Sequence, residues 1–513
     1  MTKDYVTDVP YQRSFVDLSP SQLSLVAALN GFPTPITDGD FDYCEMGSAQ
    51  GDSIAPLAAA NPNGRFVGVD VNHAHIEAAR RFASEGKLEN LRFVERDFEH
   101  LDEDATPPFD FMAAHGVLSW VGPSKRKALL DFAAAKLKPG GLLHVSYNAL
   151  PGWAAVEPLR QLLLTGAAGA NQDDTRERAR LGFALAKHMH DAGALYFAGN
   201  SSAGVMLRTM EELGIPYIAH EYLNAHWVPM YFAQVAREMA ERDLHFVGQL
   251  PLYMNYRDLA LPPNMSKLLE GVHDRGAFET LKDFALNEFF RRDVFIKGSV
   301  GRAAATTQAY FDVTAFGLQR TPPITEVRLP QGTVTFEGPL FEALFDALTK
   351  GAATGTALLG RPELATFGAE NIRAALLRAV VTGCVLPVQP APRASARRAG
   401  NAPRIPLEYN RMVLRHALRN EMPLALAAPR MGAGMAISAH EALVLRLLTE
   451  VPSAKWQTPK QWTHDLLVKD SYSLKVAGRP VNDVEEATRI LLAEVDKFRQ
   501  NRLPRFLEWG ILE

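Results

Sequence analysis

The stretch FDYCEMGSAQGDSIAPLAAANPNGRFVGVD, residues 41–70, decides how the chain is read. Tyr43, Cys44 and Met46 form a short β-prone run, and Gly47-Ser48-Ala49-Gln50-Gly51 is a turn. Residues 54–60 suit a helix, Asn61-Pro62-Asn63-Gly64 stops it, and 66–69 begin a second strand ending at Asp70. Strand, glycine turn, helix and strand make half of a doubly wound nucleotide-binding sheet, whose ligand lies beyond the carboxyl ends of the strands.

A dinucleotide site needs G-x-G-x-x-G, because two phosphates must lie against bare backbone at a helix N-terminus. Here the pattern is Glu45-x-Gly47-x-Ala49-x-Gly51, and G-x-x-x-x-G-K-[ST] occurs nowhere. An acid-led loop of small residues suits a ligand with a ribose and a cationic amino-acid tail rather than a pyrophosphate. Asp70, followed by Val71, stands 25 positions after Glu45, where a carboxylate can accept hydrogen bonds from ribose hydroxyls. S-adenosylmethionine meets those demands.

Further strands follow in order. Residues 91–95 precede Arg96-Asp97-Phe98, an acid and an aromatic suited to an adenine amino group and ring face. A fourth strand, 109–114, leads into His115-Gly116-Val117-Leu118-Ser119-Trp120, and Pro139-Gly140-Gly141 turns into a fifth at 142–147. The series resembles the class I S-adenosylmethionine-dependent methyltransferases. That resemblance implies a Rossmann-like α/β core of seven strands, with the last one antiparallel. It also implies S-adenosylmethionine as cofactor, S-adenosylhomocysteine as product, and no metal.

Motifs outside the cofactor loop narrow the resemblance. HGVLSWV (115–121), SYNALPGW (146–153), HEYLN (220–224) and FRRDVFIKG (290–298) are similar to signatures of bacterial methyltransferases with a methyltransferase regulatory domain. That family includes the rickettsial protein-lysine methyltransferases. The match runs from about residue 5 to 298 and is looser beyond.

Bulk properties bound the rest. A chain of 513 residues is long enough for two to four domains, and 47% hydrophobic with 22% charged residues fits a globular protein. A net charge of −4 gives no reason to expect a nucleic-acid partner. Cys44 and Cys384 cannot make a disulfide framework and suit a reducing compartment. The polar start and the lack of an apolar run of about 18 residues predict a cytoplasmic chain without a membrane partner.

Four regions are expected. Residues 1–302 form the methyltransferase core, with a helical lid inserted at about 151–221. Residues 303–388, opening with a Thr- and Pro-containing connector at 303–330, form a winged-helix-like α+β domain with a hairpin around Pro330-Gln331-Gly332. Its would-be recognition helix carries Glu370, Arg373 and Arg378, whose charges nearly cancel, so protein contact or homodimerisation is its expected role. Residues 389–404 are a basic linker, and 405–513 a mainly helical domain with an apolar end.

Methyl transfer from a sulfonium is an in-line displacement with an activated leaving group, so the protein aligns, desolvates and deprotonates the acceptor. A free amine of pKa about 10.4 must lose its proton first. A carboxylate or tyrosine to orient it, and aromatic rings around the cationic product, are therefore expected. His115, Tyr147, Glu221 and Tyr222 are the catalytic candidates. Glu45, Gly47, Ala49, Gly51, Asp70, Val71, Asp97, Phe98 and His115 are the cofactor candidates. Tyr5 and Tyr11 on the N-terminal arm, with Trp120, Asn148, Trp153, His220, Asn224 and Trp227, are the candidates for the acceptor channel. His73, His75 and His440 have no metal-ligand spacing around them. A protein amine is the first expectation for the acceptor. A small molecule is the second, and a catalytically silent cofactor-binding module is a third possibility of a different class.

Overall fold

The computed structural model describes residues 5–9, 15–35, 37, 39–103, 107–389, 403–420, 424–450, 459–465, 474–476 and 479–513. Seven strands form the central sheet: β1 (Phe41–Met46), β2 (Gly64–Asp70), β3 (Leu91–Glu95), β4 (Phe109–Ala114), β5 (Leu137–Asn148), β6 (Leu244–Leu250) and β7 (Phe290–Lys297). Their order is β3-β2-β1-β4-β5-β7-β6, with the first five parallel and β7 antiparallel to both of its neighbours. The chain reverses direction in the sheet between β1 and β4, and a crevice opens there at the carboxyl ends.

All six residues of β1 are buried, as a parallel strand covered on both faces requires. One face carries Phe41, Tyr43, Phe66 and Phe111 against the helices Pro20–Leu29 and Ile54–Ala60. The opposite face carries Cys44, Met46, Val69 and Met112 against Leu129, Leu130 and Phe132 of the helix Pro123–Lys136. Each such side chain contributes about 1.5–3 kcal/mol on burial, so the two layers hold the crevice rigid from below.

Above the carboxyl ends lie the helices Glu157–Ala167, Thr175–Asp191 and Ser201–Tyr222, the last interrupted at Gly214 (φ 79°). They occupy the stretch where a helical insertion is expected. The first two cross closely because small residues meet: a Cβ on Gly182 would stand 2.5 Å from the carbonyl of Leu163. Asp174 caps the second by accepting from the Glu177 amide. The arm residues 5–9 tie these helices to the core. Val6 donates to Asn224 Oδ1 at 2.9 Å, Thr175 donates to Asp8, and Asn72 on the core reaches the Thr7 carbonyl at 3.3 Å.

Beyond the core, the stretch expected as an irregular connector contains the helix Ala304–Val313, started without a side-chain cap and therefore poorly marked in sequence. Ala315–Leu318 is then the central strand of a three-stranded antiparallel sheet with Ala353–Thr354 and Val385–Val388. The hairpin around Pro330-Gln331-Gly332 forms, as Glu326–Leu329 paired with Gly332–Thr335.

The C-terminal region is helical at Glu408–Asn420, Ala439–Glu450, Pro459–His464 and Val484–Asn501. A hairpin, Leu424–Ala428 with Ala433–Ile437, was not legible, since its alanines and glycines carry little strand preference. It packs on the core beside the helix Ile54–Ala60: Asn61 donates to the Gly432 carbonyl at 3.0 Å, and Ser21 to that of Met431 at 2.8 Å. The apolar end is buried through Phe506, Trp509 and Ile511. Most of the basic linker lies outside the described residues. Among the described residues no helix is long and apolar enough to cross a membrane.

Candidate active site

The glycine turn is held by backbone geometry first. Gly47 and Ser48 both donate to the Val69 carbonyl, at 2.8 and 2.9 Å, which locks the turn onto the end of β2. Gly47, Ala49 and Gly51 all have positive φ (82°, 46° and 82°). Ala49 therefore stands in a left-handed conformation that glycine would hold more cheaply. It is kept there because its amide donates to Asp70 Oδ2 at 2.9 Å, while Asp70 Oδ1 accepts from the Asn72 amide at 2.8 Å. A Cβ on Gly47 would come within 2.6 Å of Val117, and one on Gly51 within 2.6 Å of the Phe93 ring. Gly51 thus serves packing and does not line the crevice.

A cavity of about 390 Å³ opens over this turn. Glu45, Asp52 and Asp70 line one wall. Burial, with Asp52 and Asp70 nearby, pushes the Glu45 carboxyl up to about 8, and burial pushes Asp52 up to about 7. Glu45 Oε2 and Ser48 Oγ are buried without a hydrogen-bond partner. Three crowded carboxylates and unspent polar atoms fit a ligand carrying hydroxyls and positive charge, the chemistry of S-adenosylmethionine. Val71, Arg96, Asp97 and Phe98 line the far end, with Asp97 paired to Lys125 Nζ at 2.6 Å.

The opposite wall is polar at one point and aromatic around it. His115 Nδ1 lies 3.2 Å from Nε2 of the buried His144, and Phe15 packs on its ring at 3.9 Å. Burial, with His115 beside it, drives the His144 pKa well below its ordinary value, so this inner ring stays neutral. Asn148, at the end of β5, donates to Glu221 Oε1 at 2.7 Å, and the Trp120 indole donates to the Glu221 carbonyl at 3.1 Å. Trp153, Phe289 and Phe290 complete the wall, with the Trp153 indole donating to the Phe289 carbonyl. Tyr5 and His220 close it from the arm and lid, 3.3 Å apart, while His220 Nε2 sits 2.6 Å from the Val9 carbonyl.

Most of the residues anticipated from sequence are brought together, and five described ones are not. Besides Gly51, the cavity leaves out Tyr147, whose hydroxyl donates to Asp293 inside the core at 2.6 Å. It leaves out Tyr222, fully buried against Trp153 and Tyr217. Asn224 holds the arm, and Trp227 packs on Trp153 beneath Arg160. Tyr11 lies outside the described residues. Sequence reasoning passed over Asp52 and His75, although Asp52 directly follows Gly51 and His75 stands one helical turn after Asp70. It also passed over Phe15 and Phe289, which no local pattern marks.

Residues 44–143 match a methyltransferase domain, and 216–297 match a predicted methyltransferase regulatory domain. An uncharacterized protein of Synechocystis sp. is 28% identical over 513 residues, 99% of each chain. An uncharacterized protein of Rickettsia prowazekii is 27% identical over 288 residues, 55% of this chain and 51% of its own. The solved structure of PKMT2 from Rickettsia typhi in complex with AdoHcy superposes with a TM-score of 0.74 at 19% identity, over 98% of this chain and 100% of that one. The sheet order is that of a Rossmann-like methyltransferase core, and with the matched methyltransferase segment it makes this chain an S-adenosylmethionine-dependent methyltransferase, with residues 216–297 similar to a predicted methyltransferase regulatory domain.

Proposed function

We propose that the enzyme methylates a nitrogen, the side-chain amine of a protein lysine. The observation that carries this reading is the Asn148–Glu221 pair, a carboxylate and amide set among the rings of Trp120, Trp153 and Phe290. Bound S-adenosylmethionine would supply an electrophilic methyl on a sulfonium, with S-adenosylhomocysteine as the product.

Glu45, Asp52 and Asp70 would hold the cationic cofactor, with Asp70 on its ribose and Asp97 and Phe98 at its adenine. The Glu221 carboxylate would orient an incoming amine, and Asn148 holds that carboxylate in place. The aromatic wall excludes water from the nucleophile and favours the cationic product nitrogen. His115, on the cavity wall with His144 behind it, would take the departing proton or pass it to water. The similarity of the whole chain to PKMT2 supports a protein acceptor. On this reading residues 1–302 are the catalytic unit, 151–221 its lid, and the regions 303–388 and 405–513 hold partners.

Incubation with methyl-labelled S-adenosylmethionine, a host lysate and a low-mass extract tests it. Label on a lysine of a protein band supports the proposal. Label confined to the low-mass fraction replaces the acceptor with a small molecule, and no label despite cofactor binding counts against catalysis.

A further inference from the structure

His75 belongs to no role described so far. It lies in the first turn of the helix His73–Glu85, five residues after Asp70, and its side chain lines the cavity at 5% exposure. Neither ring nitrogen has a hydrogen-bond partner. Asp70 Oδ1 stands 3.8 Å from Nδ1, too distant for a hydrogen bond. Asp52 and His220 line the same cavity.

A buried imidazole is ordinarily satisfied on at least one nitrogen, since an unmet donor and acceptor away from water are both costly. A neutral ring offers one N–H and one lone pair. A vicinal diol matches it, because each hydroxyl can donate and accept. The two Asp70 oxygens each accept one backbone amide, and a carboxylate oxygen has capacity for a second acceptance.

We infer that His75 is a ribose-binding residue, completing with Asp70 a clamp on the two hydroxyls of the cofactor's sugar. The inference rests on the cavity being an S-adenosylmethionine site. It divides the labour at the end of β2: Asp70 accepts from the diol while it shapes the glycine turn, and His75 meets the second hydroxyl. It also gives the helix Ser201–Tyr222 a stake in sugar binding, because its His220, whose Nε2 holds the arm at Val9, lines the same cavity.

Calorimetric titration with S-adenosylhomocysteine and with its 2′,3′-dideoxyribose analogue tests the inference. His75→Ala is expected to weaken S-adenosylhomocysteine about tenfold, the worth of one hydrogen bond, and to leave the analogue's affinity unchanged. His75→Asn, which keeps one donor and one acceptor, is expected to recover part of the loss. Equal weakening of both ligands, or of neither, overturns the inference and leaves the ring a packing group. On the unaltered protein, the ring-nitrogen NMR shifts of His75 should move with S-adenosylhomocysteine and not with the analogue. Identical shifts overturn it without any variant. A wild-type protein that binds neither ligand defeats the cofactor reading itself, which is a distinguishable result.

Discussion

Asn148 Nδ2 and Glu221 Oε1, 2.7 Å apart, join the last residue of β5 to the last turn of the helix Ser201–Tyr222. The Trp227 indole reaches the same carboxylate oxygen at 3.4 Å. This helix and the end of β5 therefore share one carboxylate on the cavity wall.

Glu221→Gln keeps the shape and removes the charge. Turnover in single-turnover methyl transfer should fall about 10- to 100-fold, the range of a charged hydrogen bond, with cofactor affinity unchanged by calorimetry. Tyr222→Phe should leave turnover near that of the wild type, because its ring lies behind the wall. The reverse pattern would exchange the two roles.

Asp70→Ala removes the acceptor of the Ala49 amide and a ligand for the sugar at once. Affinity for S-adenosylhomocysteine should drop by about 100-fold or more, since charged bonds of about 1.5–3 kcal/mol each are lost. Retained affinity in a calorimetric titration would contradict the assignment of the turn.

Glu45 and Asp52 make stability depend on pH. Burial pushes them up to about 8 and about 7, above the ordinary carboxyl values of 4.5 and 3.8. Between the unfolded and folded values the folded chain binds more protons, so stability falls as pH rises, by roughly 1.4 kcal/mol per unit per titrating group. Without ligand, the melting temperature should decline from pH 6 to pH 8 and level off above it. Glu45→Gln should flatten the slope, and the rise in melting temperature on adding the cationic cofactor should be larger at pH 8 than at pH 6. A flat profile would show that these carboxyls are ionised in the folded chain.

Arg291 is fully buried on β7, bonded to Asp283 at 2.6 Å and to Glu279 and Asp293 at 2.9 Å each. Arg291→Met strands those carboxylates and should cost about 3–5 kcal/mol in denaturant titration. Tyr147→Phe, which takes one donor from Asp293, should cost about 1–3 kcal/mol and leave turnover intact. A collapse of turnover in a folded Tyr147→Phe protein would return that tyrosine to the chemistry.

The strand, glycine turn and acid of residues 41–70 were legible because local preference and tertiary demand coincide there. A parallel strand is apolar throughout, a tight turn needs small residues, and the acid falls at a set distance along one βαβ unit. The helices between β5 and β6 were readable in the same way, whereas the count of seven strands and the antiparallel last one came from the family resemblance. What local sequence could not carry was direction in space. Tyr147 and Asn148 are neighbours on one strand, and the pleat sends one into the core and the other into the cavity. Arg291, in a motif whose sequence does not say which way its charges point, is buried because carboxylates from a helix eight to twelve residues upstream converge on it. His75 became notable only once its two nitrogens were found without partners. The helix Ala304–Val313 and the hairpin docked beside Asn61 escaped reading because their burial, not their intrinsic preference, forms them. Sequence alone determined the core and its glycine turn, whereas tertiary packing decided which side chains face the cavity, since facing is a long-range property of the assembled chain.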